Sequence, residues 1–173
     1  TRKTFAIPPS IGKYSSEKSA QPTQRGVIYA VAPSPLDINR IWAGTDDGLL
    51  HLTIDGGAHW TDVTPKDLGP FWKVSQIDAG HFDAQTAYAA INTLRLDDLR
   101  PHIYRTHDGG KTWTEISPDL TRNEKAKQKS SGGPITKDNT SVEYYNTIFS
   151  LVESPVTKGT IWAGSDDGLI HVT

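Results

Sequence analysis

A chain of 173 residues with a formal net charge of −2 has no basic excess for binding a nucleic-acid backbone, and no nucleic-acid partner is expected. Gly numbers 15 and Pro 11, and no run approaches the ~18 apolar residues of a membrane span, so the chain reads as turn-rich and globular with no span. Cysteine is absent, which excludes disulfides and thiolate metal sites; Met is absent too, even at position 1, and the expectation is a processed product or a piece of something longer.

Residues 1–25 are polar and turn-rich and read as a long loop, with Arg2 to Ile7 a candidate outer strand. A first unit, 26–65, opens with a candidate strand from Gly26 to Ala32. Arg40 to Gly44 and Leu49 to Thr53 then form a hairpin around the Asp-Gly turn Thr45-Asp46-Asp47-Gly48. A second tight turn, Asp55 to Trp60, leads to a short fourth strand that ends at Pro65. A second unit, 70–118, repeats the order with Trp72 to Ile77, then Ala87 to Ile91, then a longer excursion through Leu94 to His102. Its second tight turn runs from Asp108 to Trp113, before a fourth strand that ends at Pro118. Residues 119–143 are a second polar stretch and read as a long inter-unit loop. Thr147 to Val152 and the hairpin that follows begin a third unit, 144–173, with no fourth strand.

The first and third units share a phrase 120 positions apart. Ile41-Trp42-Ala43-Gly44-Thr45-Asp46-Asp47-Gly48-Leu49-Leu50-His51-Leu52-Thr53 returns as Ile161-Trp162-Ala163-Gly164-Ser165-Asp166-Asp167-Gly168-Leu169-Ile170-His171-Val172-Thr173. Tyr88 stands in the middle unit where Trp42 and Trp162 stand in the others. Such self-similarity means a repeat architecture in which each unit covers its apolar face only against its neighbours. Four short antiparallel strands per unit predict an all-β fold: a partial β-propeller of two complete blades and an incomplete third. An isolated arc leaves blade faces open, so a homo-oligomer or the remainder of a longer propeller is expected to cover them.

The turns written Thr-x-Asp-x-Gly-x-x-Trp are Thr53, Asp55, Gly57 and Trp60, then Thr106, Asp108, Gly110 and Trp113. They resemble the Asp-box, the bacterial neuraminidase repeat. With the shared phrase, the chain resembles the Asp-box glycosyl-hydrolase-like propellers of bacteria and their sortilin-type relatives. That resemblance implies an extracytoplasmic or secreted setting and a peripheral, structural role for the Asp-box residues. Their chemistry fits: Asp accepts backbone amides, Gly permits positive φ, and Trp packs between sheets.

Function is sought in the other polar residues. Asp46, Asp47, Asp166 and Asp167 either serve the hairpin turns or hold Ca²⁺ through oxygen ligands, although the spacing is not that of an EF-hand. His51 and His171 read as blade packing, since no zinc spacing accompanies them. In the loop entering the third unit, Asp138, Glu143 and Tyr144 supply paired carboxylates and an aromatic face at the expected funnel mouth. They are the candidate catalytic set, with an ordered surface loop as the alternative. Asp78, His81 and Asp83 make either a turn or a water-activating cluster. Three functional readings follow: a hydrolase-related, carbohydrate-facing module; a Ca²⁺-dependent hydrolase of small esters or lactones; and a non-catalytic protein- or peptide-binding scaffold.

Overall fold

Three antiparallel sheets follow one another along the chain, each meandering from one edge to the other. The structure is a computed structural model and describes residues 26–96, 98–129 and 145–173. The first sheet holds β1 (Ile28–Pro33), β2 (Ile41–Thr45), β3 (Leu50–Thr53) and β4 (Thr61–Asp62), in that spatial order. The second holds β5 (Lys73–Ala79), β6 (Ala87–Thr93), β7 (Asp98–Thr106) and β8 (Thr114–Glu115). The third holds β9 (Ile148–Glu153), β10 (Ile161–Ser165) and β11 (Ile170–Val172). The candidate strand from Arg2 to Ile7 lies outside the described residues.

Side chains on alternate faces bind the sheets to one another. Ala30, Ala32, Trp42, Leu50 and Leu52 share one face of the first sheet, because cross-strand partners in register point the same way. That face packs on Val74, Ile77, Ala79, Ala87, Ala89 and Ile91 of the second sheet. On the far side of the second sheet, Tyr88, Ala90 and Ile103 meet Ile148, Leu151, Ile161 and Ala163 of the third. The small residues of β6 let the sheets approach closely. Gly44 shows how closely: a Cβ there would lie 2.4 Å from Val74 Cγ1.

Among the first strands, β5 neighbours both β1 and β9, and the three form a common inner wall, while the two-residue β4 and β8 are outermost. Radial sheets with shared inner strands make this a partial β-propeller of two four-stranded blades and a three-stranded third. The middle blade differs from the sequence expectation between Leu94 and His102. Leu94–Leu96 is a single 3-10 turn, and β7 already begins at Asp98: Asp98 pairs with Thr93 and His102 with Ile91, with a shift of register between them. Thr93 Oγ1 donates to Asp98 O at 2.9 Å, and Arg100 clamps the Asp98 carboxylate through Nε at 3.0 Å and Nη2 at 2.7 Å. Those bonds supply the local closure that an Asp-Gly turn gives the other blades.

Candidate ligand-binding groove

The inner wall bounds a groove of about 530 Å³. Tyr29 comes from β1, Lys73, Ser75 and Gln76 from β5, Asn92 from β6, and Phe149 from β9. Ile148, a member of the core between the second and third sheets, also lines it, so the groove runs directly beside that core. Lys73 Nζ sits 3.5 Å from the centre of the Tyr29 ring, a cation–π contact that joins the first two blades. Gln76 Nε2 donates to the Phe149 main-chain oxygen at 2.9 Å, joining the second and third. Ser75 Oγ donates to Ala90 O at 3.0 Å.

At one end of the groove stand the Asp-Asp hairpin turns, and their carboxylates bind main chain. Asp46 Oδ1 accepts the Val27 amide at 2.8 Å, while its Oδ2 pairs with Arg95 Nη1 at 3.2 Å. Asp166 repeats the latch one blade on: Oδ1 accepts the amides of Asn146 and Thr147, both at 2.9 Å, and Oδ2 the Thr147 hydroxyl at 3.2 Å. Each therefore pins the chain as it enters the inner strand of its own blade. Asp47 accepts the Thr45 hydroxyl at 2.5 Å, and Asp167 that of Ser165. Asp167 also takes the Arg122 amide at 2.5 Å. Burial pushes the Asp167 carboxyl up, but the Ser165 hydroxyl and the amides of Arg122 and Leu169 outweigh it and hold the group below its ordinary value. Among the described residues, no three His, Asp or Glu side chains gather as a metal-holding group.

Past the groove lining, toward the ends of the same strands, β5 and β9 carry a buried polar network. Glu153 accepts the Tyr88 hydroxyl at 3.1 Å and the Gly159 amide at 3.0 Å through Oε1, and the His81 amide at 2.7 Å through Oε2. Its own amide donates to Asp78 Oδ2 at 2.7 Å. Burial raises the Asp78 carboxyl above its ordinary value, outweighing the Glu153 amide and His81, which lower it; the Glu153 charge adds a smaller upward push. Burial, then the Glu153 charge, pushes the Tyr88 hydroxyl to about 12. His81 Nε2 lies 3.7 Å from Asp78 Oδ1, so these two residues meet. Asp83 does not join them; it accepts the Gln85 amide and the Thr86 hydroxyl in its own turn.

The two Thr-x-Asp-x-Gly-x-x-Trp turns lie at the outer edge and make matching bonds. Thr53 Oγ1 donates to Asp55 and accepts the Gly57 amide, and Thr106 does the same with Asp108 and Gly110. The His59 amide and ring, then the Thr53 hydroxyl, hold the Asp55 carboxyl far below its ordinary value. The Thr112 hydroxyl and amide bring Asp108 down to about 2. Gly56, Gly57, Gly109 and Gly110 all have positive φ, which the turn demands and glycine supplies without strain. Trp113 donates from Nε1 to Val63 O at 2.7 Å and stands edge-on to Trp42, whereas Trp60 is exposed. His171 Nε2 lies 2.9 Å from Leu120 O in the connection that follows the second sheet; His51 pairs in register with Asp62.

Asp138, Glu143 and Tyr144 lie outside the described residues. The groove residues Tyr29, Lys73, Gln76 and Phe149 were not singled out from the sequence. The signal available was a failed alternation, since the inner strands carry large side chains on the face opposite their core residues. Glu153 was missed too, although it breaks the repeat: its counterpart 120 positions earlier is Pro33.

No protein-family model matches the chain, and no curated protein matches it. Solved structures do. YCF48 from Cyanidioschyzon merolae is 18% identical with a TM-score of 0.54, over 88% of this chain and 35% of that one. YCF48 bound to D1 peptide gives 16% identity and a TM-score of 0.57, over 86% of this chain and 37% of that one. An ancestral GH74 enzyme gives 19% and 0.55, over 84% of this chain and 17% of that one. These likenesses support the β-propeller fold. The chain spans about a third of the YCF48 structures and about a sixth of the GH74 enzyme. Among the described residues, no helix is long and apolar enough to cross a membrane.

Proposed function

We propose that this chain is a non-catalytic binding module of an Asp-box-type propeller, and that the groove along β1, β5 and β9 takes an extended polypeptide segment. The observation that carries this is the Gln76 side chain, which already donates to a main-chain carbonyl, that of Phe149, at the groove. Ser75, Gln76 and Asn92 offer mixed donors and acceptors that suit the amides and carbonyls along an extended peptide. Exposed Tyr29 and Phe149 rings flank them with apolar faces, and Lys73 adds a positive charge for an acidic side chain or a terminal carboxylate. Asp166, which also lines the groove, accepts from main chain and serves architecture. The likeness to YCF48 bound to D1 peptide supports the same reading at the level of fold. Asp-box character is part of the proposal, supported by the matching bonds of the Thr53 and Thr106 turns.

A second reading, a hydrolase-related carbohydrate-facing module, draws on the same two exposed rings, which suit stacking on sugars, and on the fold likeness to a GH74 enzyme. Its acid and base would be Asp138 and Glu143, with Tyr144 beside them. The test is a titration of peptides selected on the wild-type protein from a random display library, beside a glycan array. Tyr29→Ala and Gln76→Ala should each weaken the selected peptides by about tenfold or more, the loss of roughly 1.4 kcal/mol. Retention of glycans alone, with turnover abolished by Glu143→Gln, favours the second reading.

A further inference from the structure

Register makes certain positions of the three sheets equivalent. Gly44, Ala90 and Gly164 pair with Ala30, Gln76 and Ser150, and beyond the same bulge Thr45, Ile91 and Ser165 pair with Ile28, Val74 and Ile148. One residue further on, Asp46, Asn92 and Asp166 are counterparts, and they stand opposite Val27, Lys73 and Thr147. In the first and third sheets the carboxylate at this place is taken up by its own surroundings. Asp46 holds the Val27 amide and pairs with Arg95, while Asp166 holds the amides of Asn146 and Thr147 and the Thr147 hydroxyl. The middle sheet has an amide in place of the acid, and a lysine faces it.

Asn92 is 8% exposed, and among the described residues its side chain makes no hydrogen bond. It sits where β6 and β7 lose register, between Ile91 and Thr93, so β7 sets no residue directly opposite it. Buried carboxamides are ordinarily bonded, which makes this one unusual. Among the described residues no carboxylate lies within ion-pairing distance of Lys73. Its ammonium rests 3.5 Å from the centre of the Tyr29 ring, a contact that positions the charge without neutralising it. Both side chains line the groove, and Leu94 lies beside them. An aspartate at 92 would pair with Lys73, as Asp46 pairs with Arg95; asparagine leaves the cation free and adds a donor.

We infer that Lys73 and Asn92 form a carboxylate-binding subsite of the groove. The ligand supplies to the middle sheet the carboxylate that the first and third sheets supply for themselves. One of its oxygens meets the Lys73 ammonium, and the other accepts from the Asn92 amide group; charge-assisted bonds of this kind are the strong ones. Both residues belong to the middle sheet, whose two faces are covered by its neighbours. The source of the carboxylate rests on the reading of the groove as a polypeptide site: it is an acidic side chain or a chain terminus.

Three small probes separate the sources in a nuclear magnetic resonance titration of the 173-residue chain. N-acetyl-aspartic acid N-methylamide carries a side-chain carboxylate alone, N-acetyl-alanine a terminal one alone, and N-acetyl-asparagine N-methylamide neither. At least one acid should shift the Asn92 side-chain amide and the Lys73 backbone amide, and bind about tenfold or more tighter than the neutral probe. The tighter acid identifies the source. Lys73→Gln and Asn92→Asp should each weaken that acid by about tenfold or more, the second because its own carboxylate pairs with Lys73. Should Asn92→Asp lose the native near-ultraviolet circular dichroism, Lys73→Gln decides alone. Equal binding of acids and neutral probe, no shift at Asn92 and Lys73, or undiminished binding to Lys73→Gln overturns the subsite. The polypeptide reading then still stands if selected peptides weaken with Tyr29→Ala. Acids bound at Lys73 beside peptides indifferent to Tyr29→Ala would support the subsite and overturn the polypeptide reading.

Discussion

Glu153 accepts the Tyr88 hydroxyl at 3.1 Å across the boundary between the second and third blades, and both residues are buried. The same carboxylate holds the amides of His81 and Gly159, so one side chain ties two blades and two turns together. Tyr88→Phe removes a donor from a buried charge and should cost about 1–3 kcal/mol in urea unfolding. Glu153→Ala strands the Tyr88 hydroxyl and both amides and should cost more. Wild-type stability in Tyr88→Phe would show that this bond holds nothing together.

Acid stability should divide between two carboxylates of opposite sense. Asp108 binds its proton less tightly in the fold than in the unfolded chain, because Thr112 and Thr106 donate to its charged form. Its contribution is present above the ordinary value of 3.8 and is lost as pH falls toward about 2. Asp78 has the reverse sign: burial raises it, so its contribution is present below the ordinary carboxylate value and is lost as pH climbs through the folded value. Melting temperature followed against pH should show a shallower acid limb for Asp108→Asn. Asp78→Asn, which can still accept the Glu153 amide, should match or exceed the wild type at neutral pH. Parallel pH profiles for all three proteins would contradict both assignments.

Close approach of the first two blades depends on Gly44, where a Cβ would lie 2.4 Å from Val74 Cγ1 and 2.8 Å from its Cβ. Gly44→Ala should destabilise by about 1–3 kcal/mol through overpacking. Gly164→Ala, measured in dilute solution, should stay within about 0.5 kcal/mol of wild type. Equal effects at the two positions would mean that they are not differently covered.

Trp42→Ala empties a wholly buried site among Ala32, Leu52, Ala79 and Ala87, and should cost about 3–5 kcal/mol by chemical denaturation. The same change at half-exposed Trp162 should cost the dilute chain far less.

That contrast marks what was legible in the sequence. Alternation, the Asp-Gly turns and the repeated phrase carried the strands, their order and the propeller architecture, because those signals are local. Trp42 and Trp162 sit in nearly identical phrases, yet one is buried and the other half-exposed; their difference comes from the neighbouring sheet, which no local pattern encodes. The candidate site was less legible for the same reason. Tyr29, Lys73, Gln76 and Phe149 belong to three separate strands, and nothing in their spacing announces a common groove. Polar residues that stood out in the sequence, Asp46 and Asp166 above all, pin main chain, because a carboxylate beside a tight turn finds backbone amides first.

Whether the groove binds polypeptide is tested most directly by amide shift mapping with the tightest peptide selected on the wild-type protein. Shifts concentrated at Tyr29, Lys73, Gln76 and Phe149, and abolished by Tyr29→Ala, are expected. Shifts confined to the outer turns around Asp55 and Trp113, or to the open face around Trp162 and Ile170, would contradict a role for the groove.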